Sequence, residues 1–237
     1  MALTDRTQPF LYALARPLRE DLLRLGSERP FAAGEHLMRE SEPGRNVVVL
    51  LDGWSAVSIS TGRSSYRLLL ALRGPGELVG EMAMVDGSPR SATVTALGEV
   101  RAVTMASDRF RRFLADHPEA GGLVMAQLAA RLRGADEERR SLVSLTVLQR
   151  VAARLLEFAD LPLPDGREAG AAGAETALPV DLAQHDLADA VGATREAVAK
   201  ALRPLRDAGV VRTRPRRIEI LDRTVLRLLA AGASLDS

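Results

Sequence analysis

Three regimes of hydrophobic and polar patterning follow one another along the chain. Residues 1–26 carry Leu18, Leu22, Leu23 and Leu25 on or near one face, which predicts a short helical lead-in. Residues 27–106 break into short apolar segments at 36–39, 46–51, 54–60, 66–72, 92–97 and 100–105. Between them stand Pro43-Gly44, Asp52-Gly53, Thr61-Gly62, Gly74-Pro75-Gly76 and Asp86-Gly87. Glycine accepts positive φ at little cost, so Asp-Gly between strands reads as a hairpin. Many short strands at close spacing predict a β-roll or barrel.

From residue 107 the period becomes helical. Ser107 is expected to cap a short helix through Leu114, and His117-Pro118 opens a long one. Met125, Leu128, Leu132, Ala135, Arg139 and Leu142 repeat in steps of three and four, a heptad seam. A helix over 118–145 spans about 42 Å at about 1.5 Å per residue. Its length, the narrow seam and the break at Arg139 favour a dimer stalk over a helix packed only on its own domain. Thr146-Val147-Leu148-Gln149 fits a capping box, so a new helix begins there and runs to about Ala159. The junction at 145–147 is read as the hinge between domains. Residues 161–178, rich in Pro, Gly and Ala, are expected to form a loop.

Composition narrows the chemistry. Aromatic residues are 3% of the 237, so aliphatic side chains must build the core. The absence of cysteine excludes disulfides, thiolate zinc sites, cysteine-ligated iron–sulfur clusters and cysteine nucleophiles. The N-terminus lacks a continuous apolar core for export, and no apolar run is long enough to span a bilayer, so a cytoplasmic protein without membrane contact is expected. His36, His117 and His185 have no spacing suited to a metal, and Trp54 reads as strand packing. No Ser-His-Asp grouping or carboxylate pair suggests an enzyme; no metal and no haem are expected.

Net charge is only +1, yet its distribution is uneven. From 195 to 223 there are nine basic and four acidic residues, a local balance of +5. Within residues 184–200, a small residue (Ala188) precedes a turn glycine (Gly192) by four positions, and Val198 returns to the core. Thr194 can cap the second helix and place Arg195 and Glu196 in its first turn. Thr194, Arg195, Glu196, Ala199, Lys200 and Arg203 then form a DNA-reading face, since Arg or Lys reads guanine and Glu accepts from cytosine. Segments 209–212 and 217–220 flank a basic turn, Thr213 to Arg216, that reads as a wing with Arg214 beside phosphates. Lys200 is the sole lysine among 32 basic residues, an arginine bias that reads as genomic in origin.

The most informative stretch is Gly76-Glu77-Leu78-Val79-Gly80-Glu81-Met82-Ala83-Met84-Val85-Asp86-Gly87-Ser88-Pro89-Arg90-Ser91-Ala92-Thr93-Val94. Backbone amides near a short helix start can cradle a phosphate, arginine adds a planar charged contact, and a carboxylate such as Glu81 can accept from a ribose hydroxyl. The stretch resembles the phosphate-binding cassette of cyclic-nucleotide-binding domains. Together with the second motif, over about residues 10–225, it is similar to the Crp/Fnr family of transcription regulators.

The resemblance implies an α+β fold: an N-terminal β-roll of cyclic-nucleotide-binding type (10–117), a dimerisation helix (118–145) and a C-terminal winged helix-turn-helix domain (146–225, the motif itself at 184–203). It implies a pocket of Val79, Gly80, Glu81, Arg90, Ser91 and Ala92. There Gly80 and Ala92 offer amides, Glu81 holds the 2′-hydroxyl, and Arg90 and Ser91 hold the cyclic phosphate. On the long helix, Ala135 and Asp136 occupy the two positions where the family reaches the purine with Thr-Ser. Asp136 cannot donate; facing the base it accepts from adenine or turns preference toward cyclic GMP, and otherwise it is a solvated residue beside the seam. Cyclic AMP, cyclic GMP and no nucleotide stay open, in that order. The implied partners are a palindromic double-stranded operator, RNA polymerase and a second copy of the chain. The alternatives are a regulator of the same fold that senses another ligand or none, and a sensor acting only through protein contacts.

Overall fold

The computed structural model describes residues 8–60, 67–159, 176–177, 184–214 and 217–234. The expected turn at Thr61-Gly62, most of the 161–178 loop and the wing tip at 215–216 lie outside these residues. The described residues divide into two compact units, one up to Gly134 and the other from Ala135 onward.

The first unit is a β-roll with helices against one sheet. α1 (Phe10–Ala13) and α2 (Arg16–Arg24) lead into β1 (Ser27–Phe31), β2 (His36–Met38), β3 (Asn46–Asp52), β4 (Ser55–Ser60), β5 (Arg67–Arg73) and β6 (Leu78–Val79). A short helix, α3 (Glu81–Asp86), precedes β7 (Thr93–Ala96), β8 (Val100–Ala106), α4 (Ser107–Asp116) and the long α5 (Pro118–Ser144). The strands form two four-stranded sheets, β1-β8-β3-β6 and β2-β7-β4-β5, with antiparallel pairing.

β3 shows why the sequence folds this way. Successive strand residues face opposite sides of a sheet. Val48 and Leu50 join Phe31, Leu37, Val94 and Val100 in the core of the roll. Val47 and Val49 face the other way, onto Phe10, Leu22, Phe110, Phe113 and Val124. A strand buried on both faces reads as an unbroken apolar run, and Val47 to Leu50 is one.

Two expectations are corrected here. Asp52-Gly53 is no hairpin: β3 and β4 lie in different sheets, and the turn carries the chain across the corner between them. Gly53 does have positive φ (79°), and a Cβ there would lie 2.2 Å from the Glu99 carbonyl oxygen. Likewise Asp86-Gly87 ends α3 rather than joining strands, with Gly87 as its left-handed cap. Ser107 is the first residue of α4, not its cap, and its hydroxyl donates to the Gly44 carbonyl at 2.8 Å.

In the second unit, the last turns of α5 lead to α6 (Val147–Ala159), β9 (Thr176–Ala177), α7 (Gln184–Val191), α8 (Arg195–Asp207), β10 (Val211–Arg214), β11 (Arg217–Ile220) and α9 (Arg223–Ala230). Val151, Leu155, Leu187, Val198, Leu202, Ile218 and Leu226 are buried at its centre. The capping box forms as the pattern predicts: Thr146 N–H donates to Gln149 Oε1 (2.9 Å) and Gln149 N–H to Thr146 Oγ1 (3.3 Å). Within the expected loop, Thr176–Ala177 is a strand that pairs with β11, making a three-stranded sheet. No helix among the described residues is long and apolar enough to cross a membrane.

Candidate functional site

The cassette is built around Gly80. It caps α3 in a left-handed conformation (φ 85°), which a side chain would resist. A Cβ at Gly80 would also lie 2.6 Å from Arg90 Nη1. Glycine is therefore required twice, by the turn and by the arginine's approach.

Arg90 is 4% exposed. Its Nη1 donates to the Gly80 carbonyl at 2.8 Å; its Nη2 donates to Asn46 Oδ1 at 2.5 Å and to the Asn46 carbonyl. The backbone of Arg90 is pinned as well, by Arg90 N–H to the Glu42 carbonyl (2.8 Å) and Ser41 N–H to the Arg90 carbonyl (2.9 Å). Burial lowers the guanidinium from its ordinary value, while the charges of Glu81 and Glu42 oppose that shift. A desolvated cation of this kind gains when an anion reaches it.

Glu81, at the start of α3, is 1% exposed. Its Oε1 accepts from Arg131 Nη1 of α5, and Arg131 Nη2 donates to the Leu78 carbonyl at 2.7 Å. Gln127 Nε2 donates to the same carbonyl at 3.1 Å. Glu81 Oε2, Gln127 Oε1 and Arg131 Nε are buried without hydrogen-bond partners. Buried polar atoms are rarely left so, and these three are two acceptors and a donor gathered around one strand end. Val79 and Ala92 are buried nearby in sequence, and the exposed Ser91 places its hydroxyl 3.9 Å from Met82 sulfur.

The structure thus brings Gly80, Glu81 and Arg90 together and adds Asn46, Gln127 and Arg131, which the sequence reading missed. The pair Gln127 and Arg131 was visible as two polar residues at i, i+4 on α5. Ala135 and Asp136 lie in the other compact unit, and Asp136 Oδ1 is taken by Arg139 Nη1 at 2.8 Å. Of the histidines, His36 pairs with Thr95 Oγ1 (2.9 Å) and His117 packs on Phe113. Among the described residues no three His, Asp or Glu side chains gather as a metal site.

In the second unit α7, Gly192 (φ 60°) and α8 form the helix-turn-helix. Ala188 is buried between the helices, and Thr194 caps α8 by accepting from Ala197 N–H at 3.2 Å. Arg195, Glu196, Lys200 and Arg203 are exposed and Ala199 is half-buried. The Glu196 carboxylate is held below the usual carboxylate range, first by its own N–H at the helix start and then by the Thr194 hydroxyl, with Arg195 adding to the effect.

The wing gathers charge on one carboxylate. Glu219 is nearly buried, and Arg212 (3.3 Å), Arg214 (2.9 Å) and Arg217 (3.7 Å) all reach it. Three cations on one anion leave a surplus of positive charge beside α8.

A β-roll with a buried Arg-Glu cassette, in one chain with a winged helix-turn-helix, defines a DNA-binding regulator with a ligand-sensing domain. Family models agree with both halves: a cyclic nucleotide-binding domain matches residues 28–117, and a Crp-like helix-turn-helix domain matches 149–229. The chain is 32% identical over 195 residues to a CRP-like cAMP-activated global transcriptional regulator of Mycobacterium tuberculosis, covering 81% of this chain and 83% of that one. It is 28% identical over 225 residues to a cyclic AMP receptor protein of Thermus thermophilus, covering 94% and 97%. A solved CRP-family transcriptional regulator from Thermus thermophilus matches with a TM-score of 0.70 at 27% identity, over 86% of this chain and 97% of that one. The chain belongs to the Crp/Fnr family of transcription regulators.

Proposed function

We propose that this regulator binds DNA as a homodimer under the control of a cyclic nucleotide, with cyclic AMP the first candidate and cyclic GMP the second. The observation that carries the reading is the Glu81–Arg131 pair with its unpartnered atoms, set beside a desolvated Arg90. These residues fit the ligand's chemistry. Arg90 and Ser91, with the amides of Gly80 and Ala92, would hold the anionic phosphate; Glu81 Oε2 is an acceptor suited to a ribose hydroxyl. The mycobacterial and Thermus relatives, described as cAMP-activated and as a cyclic AMP receptor, favour adenine.

The residues then act in sequence. Arg90 exchanges carbonyl acceptors for phosphate oxygens, and Glu81 accepts a new donor without releasing Arg131. Arg131 belongs to α5, so a change at the cassette is felt by the long helix. Ligand biases the DNA-binding state only through its differential affinity for the two states. Met125, Leu132, Leu142 and Val143 are exposed apolar residues on α5, fit for burial against a second copy. In the bound dimer the two α8 helices would lie about one DNA turn apart, ~34 Å. Thr194, Arg195, Glu196, Ala199, Lys200 and Arg203 would meet the major groove, and Arg214 the backbone. We assign the sensor to 10–117, the dimer helix to 118–145 and the DNA-binding domain to 146–225, with RNA polymerase as a further partner.

Calorimetric titration with cyclic AMP and cyclic GMP, followed by gel-shift with operator DNA, tests this. The expected result is saturable binding of one nucleotide and a shift that depends on it. Absence of binding by both nucleotides, with DNA binding intact, would move the protein to the nucleotide-independent reading.

A further inference from the structure

Arg90 donates through its terminal nitrogens to three oxygens, and these differ in how firmly they are held. The Gly80 carbonyl, which accepts from Nη1 at 2.8 Å, belongs to the left-handed cap of α3. The Asn46 carbonyl, which accepts from Nη2, belongs to the first residue of β3, opposite Ala106 of β8. Neither can leave Arg90 unless a helix start or a strand shifts. Asn46 Oδ1, which also accepts from Nη2, at 2.5 Å, sits on a half-buried side chain that its own torsions can turn.

The backbone that presents Asn46 is braced on two sides. Ser41 N–H donates to the Arg90 carbonyl (2.9 Å) and Arg90 N–H to the Glu42 carbonyl (2.8 Å), which stitches the segment before β3 to Arg90 itself. Ser107 Oγ donates to the Gly44 carbonyl at 2.8 Å and Ser107 N–H to the Arg45 carbonyl at 3.0 Å. Gly44 lies so near α3 that a Cβ on it would stand 2.4 Å from the Ala83 Cβ. Ser41 has a φ of 67°, the one positive value at a non-glycine position among the described residues. Such a backbone persists only where the surrounding contacts fix it. Residues 41–46 thus form a fixed shelf beside Arg90, and the Asn46 amide is its movable part.

We propose that Asn46 is a positioning residue for the anion of the sensor's ligand: its side-chain oxygen stands in for a phosphate oxygen on Arg90 Nη2, and is the acceptor that yields first when the phosphate arrives. This role presupposes the cyclic-nucleotide reading and names a residue that sets affinity within it. An asparagine suits the task because its amide is neutral. It satisfies a desolvated cation, yet an anion forms the stronger bond to the same nitrogen, so the exchange is favourable. A carboxylate at position 46 would instead compete with phosphate as one anion against another. With no side-chain acceptor there, Nη2 would be short of a partner before binding, and the phosphate would supply it. The Gly80 and Asn46 carbonyls keep the guanidinium aimed in either case.

Calorimetric titration of the full-length protein with cyclic AMP and cyclic GMP tests it, comparing the wild type with Asn46→Asp and Asn46→Ala. Asn46→Asp keeps the side chain's shape and should weaken binding by about tenfold to a hundredfold, because a charged acceptor must now be displaced. Asn46→Ala should tighten binding by about threefold to tenfold, the net worth of a hydrogen bond that no longer has to be given up. The two variants therefore diverge in sign. A purely structural asparagine would weaken binding in both variants or in neither, and either result would overturn the stand-in. A second measurement needs no variant: the Asn46 side-chain amide resonances of the wild type should shift as nucleotide saturates the protein, and resonances that stay in place would overturn it equally. A wild type that titrates with neither nucleotide would overturn the cyclic-nucleotide reading and this role with it. A wild type that binds, with variants that do not diverge, would overturn this role alone.

Discussion

The carboxylate of Glu81, at the first residue of α3, is ion-paired to the guanidinium of Arg131, well along α5, although 50 residues of chain separate them. Both side chains are largely out of water, Glu81 almost wholly so. Removing one partner of a buried pair strands the other, at about 3–5 kcal/mol. Arg131→Met should therefore lower stability by about 3 kcal/mol in urea unfolding, while Glu81→Gln, which keeps an acceptor for Arg131, should cost clearly less. Equal losses in the two variants would show that the pair is not the source.

Arg90 should matter to binding more than to folding. Charge-assisted hydrogen bonds to an anion contribute about 1.5–3 kcal/mol, so Arg90→Ala should weaken cyclic nucleotide binding on the order of a hundredfold in calorimetry. The circular dichroism spectrum should not change. Although burial lowers its pKa, the guanidinium remains charged near neutrality, so wild-type affinity should be flat between about pH 6 and 8.

Two glycines should respond in opposite directions to alanine. At Gly80 the side chain meets a positive φ and the Arg90 guanidinium, and a loss of about 1–2 kcal/mol is expected. At Gly134 the side chain meets open space in a helix, and a gain of up to about 1 kcal/mol is expected. Thermal unfolding of the two variants checks the contrast.

If Glu196 reads bases as proposed, its ionisation gives that reading a pH signature. Its carboxyl is held below the ordinary value by the helix start and the Thr194 hydroxyl. A depressed carboxyl is ionised above its ordinary range, and its contribution is lost only as pH falls through the lower folded value. Operator preference measured by gel-shift should thus persist unchanged down to about pH 5, below which ordinary carboxylates begin to protonate. Thr194→Ala should move the Glu196 titration upward by NMR and weaken the helix by about 1 kcal/mol.

The proposed reading of the operator by Arg195 has its own test. Arg195→Ala should cost about 1–3 kcal/mol on operator DNA and much less on random DNA. An equal loss on both would assign Arg195 to the phosphates instead.

Much of this protein was legible in its sequence because local rules wrote it there. The capping box at Thr146 and Gln149, the glycine turn at 192 and the two-faced apolar run of β3 each follow from residues a few positions apart. What stayed hidden was long-range. Asn46, Gln127 and Arg131 join the cassette from two other elements, and no spacing within the cassette announces them. Asp52-Gly53 announced a positive φ correctly, but φ does not specify which strand comes next to which.

The carboxylate of Glu219 has a consequence for how the wing meets DNA. An unattached arginine samples many rotamers, and fixing it on a phosphate sacrifices about 2 kcal/mol of that freedom. Arg212, Arg214 and Arg217 are already gathered on one anchored acid, so much of their ordering occurs when the protein folds. If the wing meets the sugar–phosphate backbone as proposed, it arrives as a stiffened, pre-set comb of charge. Its benefit belongs in the entropy of association, and a calorimetric comparison with Glu219→Gln would register it there rather than in the count of contacts made.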